Sequence, residues 1–92
     1  MKFPKLNQWD KIEIEWIDSI GPTRRWKAID SMEWEEEEKF MLHKSCGYFL
    51  NKSKTSICVC QSFQVEKYSD GDRMMEGTIM IPICAVTSVK KV

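Results

Sequence analysis

The chain has 92 residues, 42% of them apolar and 30% charged, with 14 basic and 14 acidic side chains. That length suits one domain burying about two thirds of the surface its unfolded form exposes, and the apolar fraction excludes wholesale disorder. The even charge balance excludes a global field that would draw the chain onto phosphate backbones or anionic membranes, and no apolar stretch approaches the roughly 20 residues of a membrane span.

Residues 1–8 carry an early Pro4 and no periodicity, so they read as an N-terminal arm with Phe3 and Leu6 as anchors; residues 9–92 read as a single domain. The N-terminus lacks the apolar centre of a signal peptide, which makes the cytoplasm the expected compartment and free thiols the expected state of Cys46, Cys58, Cys60 and Cys84. From Lys11 the pattern alternates strictly, with Ile12, Ile14 and Trp16 on one face and Glu13 and Glu15 on the other. A period of two is that of a half-buried antiparallel strand. Gly21-Pro22 should end it, since proline donates nothing to a ladder.

Residues 30–39 predict one short helix. Asp30 caps it, Glu33 completes a capping box, and Ile29 with Trp34 forms a hydrophobic staple. Glu35 to Glu38 give it a charged, solvated face, leaving Met32, Trp34 and Phe40 to hold it in place. A second strand is expected at about 42–50, with Cys46, Tyr48 and Leu50 sharing a face and Gly47 permitting a bend or a close backbone approach. After a polar turn at Asn51 to Thr55, a third strand at about 56–66 places Ile57, Val59, Phe63 and Val65 on one face and Cys58, Cys60, Ser62 and Gln64 on the other. Asp70-Gly71 marks the next turn. A fourth strand at 78–81 stops at Pro82, a corner follows at Ile83 to Val86, and a last alternating segment closes the chain.

This order of elements carries a resemblance. Ile14-Glu-Trp16-Ile-Asp18, Trp26 ahead of a short acidic helix, Cys46-Gly-Tyr-Phe-Leu50, and Ile79-Met-Ile-Pro-Ile-Cys84 followed by Val86 and Val89 resemble small phage-associated proteins with an Sm-like, SH3-type β-barrel. The resemblance spans Ile12 to Val92. It implies a mainly β fold, a strongly bent five-stranded antiparallel barrel with one short helix inserted after the first strand, and a homo-oligomer formed by pairing of edge strands. If the protein is phage-encoded, its compartment is the host cytoplasm. The sequence departs from true Sm proteins where RNA recognition would lie: in place of the Asp-x-x-Met-Asn and Arg-Gly strings stand Gln61-Ser-Phe-Gln64 and Ile81-Pro-Ile83. No RNA-binding residue is therefore carried over.

The residues themselves point away from catalysis. His43 has no nucleophile motif beside it, there is no glycine-rich phosphate loop, and the carboxylates crowd onto the helix. A zinc site would need four converging ligands, whereas Cys58-Val-Cys60 lies in an extended strand with Cys46 alongside. The plainer reading is four small buried apolar residues and no metal or cofactor.

The expected function is thus that of a non-enzymatic phage-type accessory protein working through homo-oligomerisation and protein binding. Met74 and Met75 are the candidate interface, although methionine near a strand more often fills a core, and Met80 belongs to the same group. The alternative is an oligomeric ring that binds single-stranded RNA or DNA. Its phosphate contacts would come from Arg24, Arg25, Lys27, Lys52, Lys54, Lys90 and Lys91, and its stacking from Trp9, Trp16, Trp26 and Trp34. Packing in the core or between subunits is the competing role for those tryptophans.

Overall fold

The computed structural model describes residues 2–19 and 38–92. Among the described residues seven strands follow in chain order: β1 (Lys11–Ile17), β2 (Leu42–Lys52), β3 (Ser56–Cys60), β4 (Ser62–Phe63), β5 (Met75–Glu76), β6 (Ile79–Pro82) and β7 (Val86–Lys91). Five of them form an antiparallel sheet in the order β6-β3-β2-β1-β7, and β4 and β5 pair separately. The chain is mainly β, as its alternating apolar pattern requires.

β1 is the central organiser. Ile12 and Ile14 are fully buried and join Phe49, Ile57, Val59, Ile81 and Val86 in one core, against which Phe3, Leu6, Trp16, Ile83 and Val89 pack. Each fully buried isoleucine contributes on the order of 1.5–3 kcal/mol. Phe3 and Leu6 are the anchors expected of the arm. On the outer face Glu13 and Glu15 approach Lys44 at 3.7 and 3.4 Å, and Lys90 lies 3.5 Å from Glu13.

The register matches small side chains to large ones. Ile12 faces Gly47 and Ile14 faces Ser45. A Cβ at position 47 would stand 2.8 Å from the Cys60 carbonyl oxygen and 3.1 Å from Val59, so the close approach of β3 requires glycine there. Gly47 and Phe49 therefore belong to the core face, and the Cys46–Tyr48 face lies outside it. A bulge between Phe49 and Asn51 lets Leu50 bury as well.

The sheet is not a hydrogen-bonded barrel. β6 and β7 stand at its two ends, yet only the 3-10 turn Ile83–Ala85 connects them. Laid flat, five strands would hold the two edges about 19 Å apart at roughly 4.8 Å per spacing. One 3-10 turn rises about 6 Å. The sheet must therefore curl strongly while its edges stay unpaired with each other, and the expected corner at Ile83 is the turn that enforces this. Pro82, the last residue of β6, is tolerated because an edge strand need not donate on its open side.

Three expectations need correction. The third strand ends at Cys60: Gln61 breaks it, and Ser62–Phe63 leaves to pair with Met75–Glu76, so Val65 is 76% exposed and lies outside the core. Phe40, expected to hold the helix, is 69% exposed beside a 3-10 turn at Lys39–Met41. Of the four cysteines only Cys60 is buried; Cys46 and Cys84 are exposed and Cys58 is intermediate. All four thiols are free. β1 itself stops at Ile17, short of the expected end at Gly21-Pro22; that dipeptide and most of the expected helix, with Trp26, Met32 and Trp34, lie outside the described residues.

Candidate functional site

The features that stand out lie around the short β4–β5 ladder. The Asn7–Asp10 turn, just ahead of β1, reaches it through Trp9: the Asn7 amide donates to the Asp10 carboxylate at 2.8 Å, and the Trp9 amide donates to the Phe49 carbonyl at 2.7 Å. Within that turn Trp9 adopts φ +75°, a left-handed conformation that costs a non-glycine residue about 1–2 kcal/mol. The strained backbone delivers the indole onto Phe63, with ring centroids 4.4 Å apart and planes at 32°. Tyr48 meets the same Phe63 edge-on at 4.9 Å.

Arg73 completes the cluster. Its guanidinium carbon lies 5.4 Å from the centre of the Trp9 ring and 5.6 Å from that of Phe63, within cation–π range. A tied loop delivers it. The Tyr68 amide donates to the Asp72 carbonyl, the Gly71 amide to the Tyr68 carbonyl, and the Asp72 amide to the Asp70 carboxylate, at 2.8 to 2.9 Å. Gly71, at φ +90°, occupies the position where only glycine turns freely, which is the turn expected at Asp70-Gly71. Nε of Arg73 is buried with no hydrogen-bond partner, alone in this among the described residues.

Two open clefts flank the ladder and share Met75 as a wall. One, of about 360 Å3, is bounded by Phe63, Gln64, Met74 and Glu76; the other, of about 350 Å3, by Trp9, Asn51, Lys67, Asp72 and Arg73. Met74 and Met75 are 56% and 47% exposed, and Met80 is 67% exposed. None of the three is core filler. For Met74 and Met75 the reason is the break at Gln61, which carries the β4–β5 ladder off the main sheet; Met80 sits on β6, on the face opposite buried Ile81.

The basic residues singled out from the sequence are not gathered into a free patch. Lys90 pairs with Glu13, and Lys91 lies 3.3 Å from the Asp10 carboxylate. Lys52 sits 4.7 Å over the Phe3 ring, and Lys54 is exposed in the β2–β3 turn. Arg24, Arg25 and Lys27 lie outside the described residues. Trp16 packs on the core and donates its indole N–H to the Ser45 hydroxyl at 3.0 Å, the packing role expected of it.

His43, on β2, has Nδ1 2.8 Å from the Met41 carbonyl and its ring 5.3 Å from Trp16. Cys60 is buried and its thiol is pushed above the ordinary cysteine value, first by that burial and then by neighbouring Cys58. Among the described residues no three histidine, cysteine or acidic side chains converge as a metal site, and no helix is long and apolar enough to cross a membrane.

Sequence reasoning passed over Arg73, Lys67 and Phe63 as site residues. Their only local signal was the Asp70-Gly71 turn, which fixes where the loop reverses and leaves open what Arg73 will meet. Compared with known proteins, the chain matches no family model, no curated protein and no solved structure.

Proposed function

We propose that this chain is a non-enzymatic accessory protein of phage type, Sm-like in fold, that works by associating with copies of itself and by binding another protein. The observation that carries the reading is the exposed methionine pair, Met74 and Met75, beside an open sheet whose terminal strands β6 and β7 have no partner on their outer sides among the described residues. Unpaired strand edges are templates for a further strand, and adaptable methionine side chains suit a protein contact. The strand order, with a single 3-10 turn joining the two edge strands, agrees with an SH3-type arrangement.

Sedimentation equilibrium at micromolar protein and physiological salt tests the assembly. A concentration-dependent mass above that of one chain is the expected result. A strictly monomeric species removes self-association from the proposal.

A further inference from the structure

We infer that the paired clefts on either side of Met75 form one bipartite groove for a peptide segment of a partner protein, which places an apolar side chain against Phe63 and Met74 and a carboxylate against Arg73 and Lys67. The inference rests on the protein-binding reading above and gives that partner a chemistry. Its starting point is an uncompensated charge. Arg73 makes no ion pair or hydrogen bond among the described residues, its Nε is buried without an acceptor, and its guanidinium is held against two aromatic rings. A desolvated donor left without an acceptor is unfavourable, and a carboxylate answers the planar guanidinium fork with two parallel bonds.

The site is held in place before any ligand arrives. Trp9 is fixed by the hydrogen bond its N–H donates to the Phe49 carbonyl, and the Arg73 loop is closed by the Tyr68, Gly71 and Asp72 hydrogen bonds. Such preorganisation lowers the ordering cost of binding. Charge argues for a single carboxylate over a phosphate backbone: Asp72 lines the cationic cleft beside Lys67 and Arg73, and Glu76 lines the apolar one. A polyanion would meet both carboxylates, whereas one acidic side chain seated between Lys67 and Arg73 meets two cations. The shared wall at Met75 makes the apolar and acidic contacts features of one short segment.

Fluorescence anisotropy with short labelled peptides tests this. Each peptide carries one leucine and one glutamate at varied spacing; matched peptides carry glutamine in place of glutamate, and a labelled oligothymidine is run alongside. The full-length protein should bind glutamate peptides of a preferred spacing at least about tenfold more tightly than their glutamine counterparts, as loss of a charge-assisted pair implies. Arg73→Gln should abolish that preference. Lys67→Gln, at an exposed loop residue, should weaken it, and Met75→Ala should weaken glutamate and glutamine peptides alike.

Equal affinity for the two peptide series, no peptide binding, or tighter binding of oligothymidine that is lost in Arg73→Gln each overturns the inference. Sedimentation of the same samples separates this outcome from the parent reading. Self-association that persists in Arg73→Gln leaves the assembly proposal standing even where the groove fails.

Discussion

Trp9 and Phe63 stack at 4.4 Å although neither belongs to the main core, and the price of the contact is a left-handed backbone at Trp9. The N-terminal turn is thereby locked to the β4–β5 ladder, and Arg73 rests on both rings. This inverts a common ranking of substitutions. Alanine ordinarily outperforms glycine, but at φ +75° glycine adopts the required conformation freely and alanine does not. Trp9→Gly is therefore expected to be more stable than Trp9→Ala by about 1 kcal/mol, with both below the parent protein. Urea midpoints for the three proteins check the order, and an alanine variant at or above the glycine variant contradicts the strain.

The core makes a sharper demand. Ile14 is fully buried, so Ile14→Ala should destabilise by about 2–5 kcal/mol. Gly47→Ala adds only a methyl group, yet that group meets the Cys60 carbonyl at 2.8 Å and should cost about 1–3 kcal/mol. Met80→Ala, at an exposed position, should remain within about 0.5 kcal/mol of the parent. Chemical denaturation of the monomer measures all three, and a large loss for Met80→Ala would place that side chain in the core after all.

The start and buried face of β1 were legible in the sequence because a strict period of two leaves a single burial assignment, and the Ile83 corner was legible because Pro82 interrupts one strand just before another begins. The extent of β3 was not. Alternation continues through Phe63 and Val65 as though one strand ran on, and only the distant partners Met75 and Glu76 decide that the chain departs at Gln61. The Trp9–Phe63–Arg73 cluster was illegible for a related reason. It is assembled from three separated segments, and nothing in residue type announces a tryptophan with positive φ.

Acid should find Asp10. The Asn7 amide foremost, opposed by some desolvation and helped by Lys91, holds its carboxyl below the ordinary aspartate value. A group whose folded pKa is depressed stabilises the fold above its unfolded pKa, and that contribution fades as pH falls through the folded one. Asp10→Asn keeps an oxygen to accept the Asn7 N–H and loses the charge. The variant should be less stable than the parent at neutral pH, and the gap should close below the ordinary carboxylate range. Urea midpoints across that range give the test; a gap that stays constant with pH assigns the loss to something other than titration.

Thiol reactivity should follow burial. Cys46 and Cys84 are exposed, Cys58 is partly covered, and Cys60 is buried with its thiol pushed toward the protonated form. Because the thiolate is the nucleophile, iodoacetamide at neutral pH should label Cys46 and Cys84 first and Cys60 last. In denaturant the differences should collapse. Peptide mass spectrometry over a time course reads the order, and early labelling of Cys60 in the native protein would contradict its place beneath the sheet.

If self-association uses the open side of β6, a charge on that strand should oppose it. Met80 is 67% exposed, so Met80→Lys leaves its ammonium in water in the monomer and should change monomer stability by no more than about 0.5 kcal/mol. At an interface the same ammonium would be desolvated without a partner, and lysine on an edge strand is a common device against strand pairing. The expected result is self-association weakened by about tenfold or more, which corresponds to roughly 1.4 kcal/mol. Sedimentation across a concentration series measures it. Thr87→Lys on β7 provides the matching test of the opposite edge, since Thr87 is exposed and its side-chain bond runs inward, the hydroxyl donating to the Glu15 carbonyl of β1 at 3.2 Å, away from the open side. Weakening by both substitutions points to a contact joining one edge to the other. Weakening by Met80→Lys alone points to β6 meeting its own copy across a two-fold axis, and weakening by neither removes the sheet edges from the assembly.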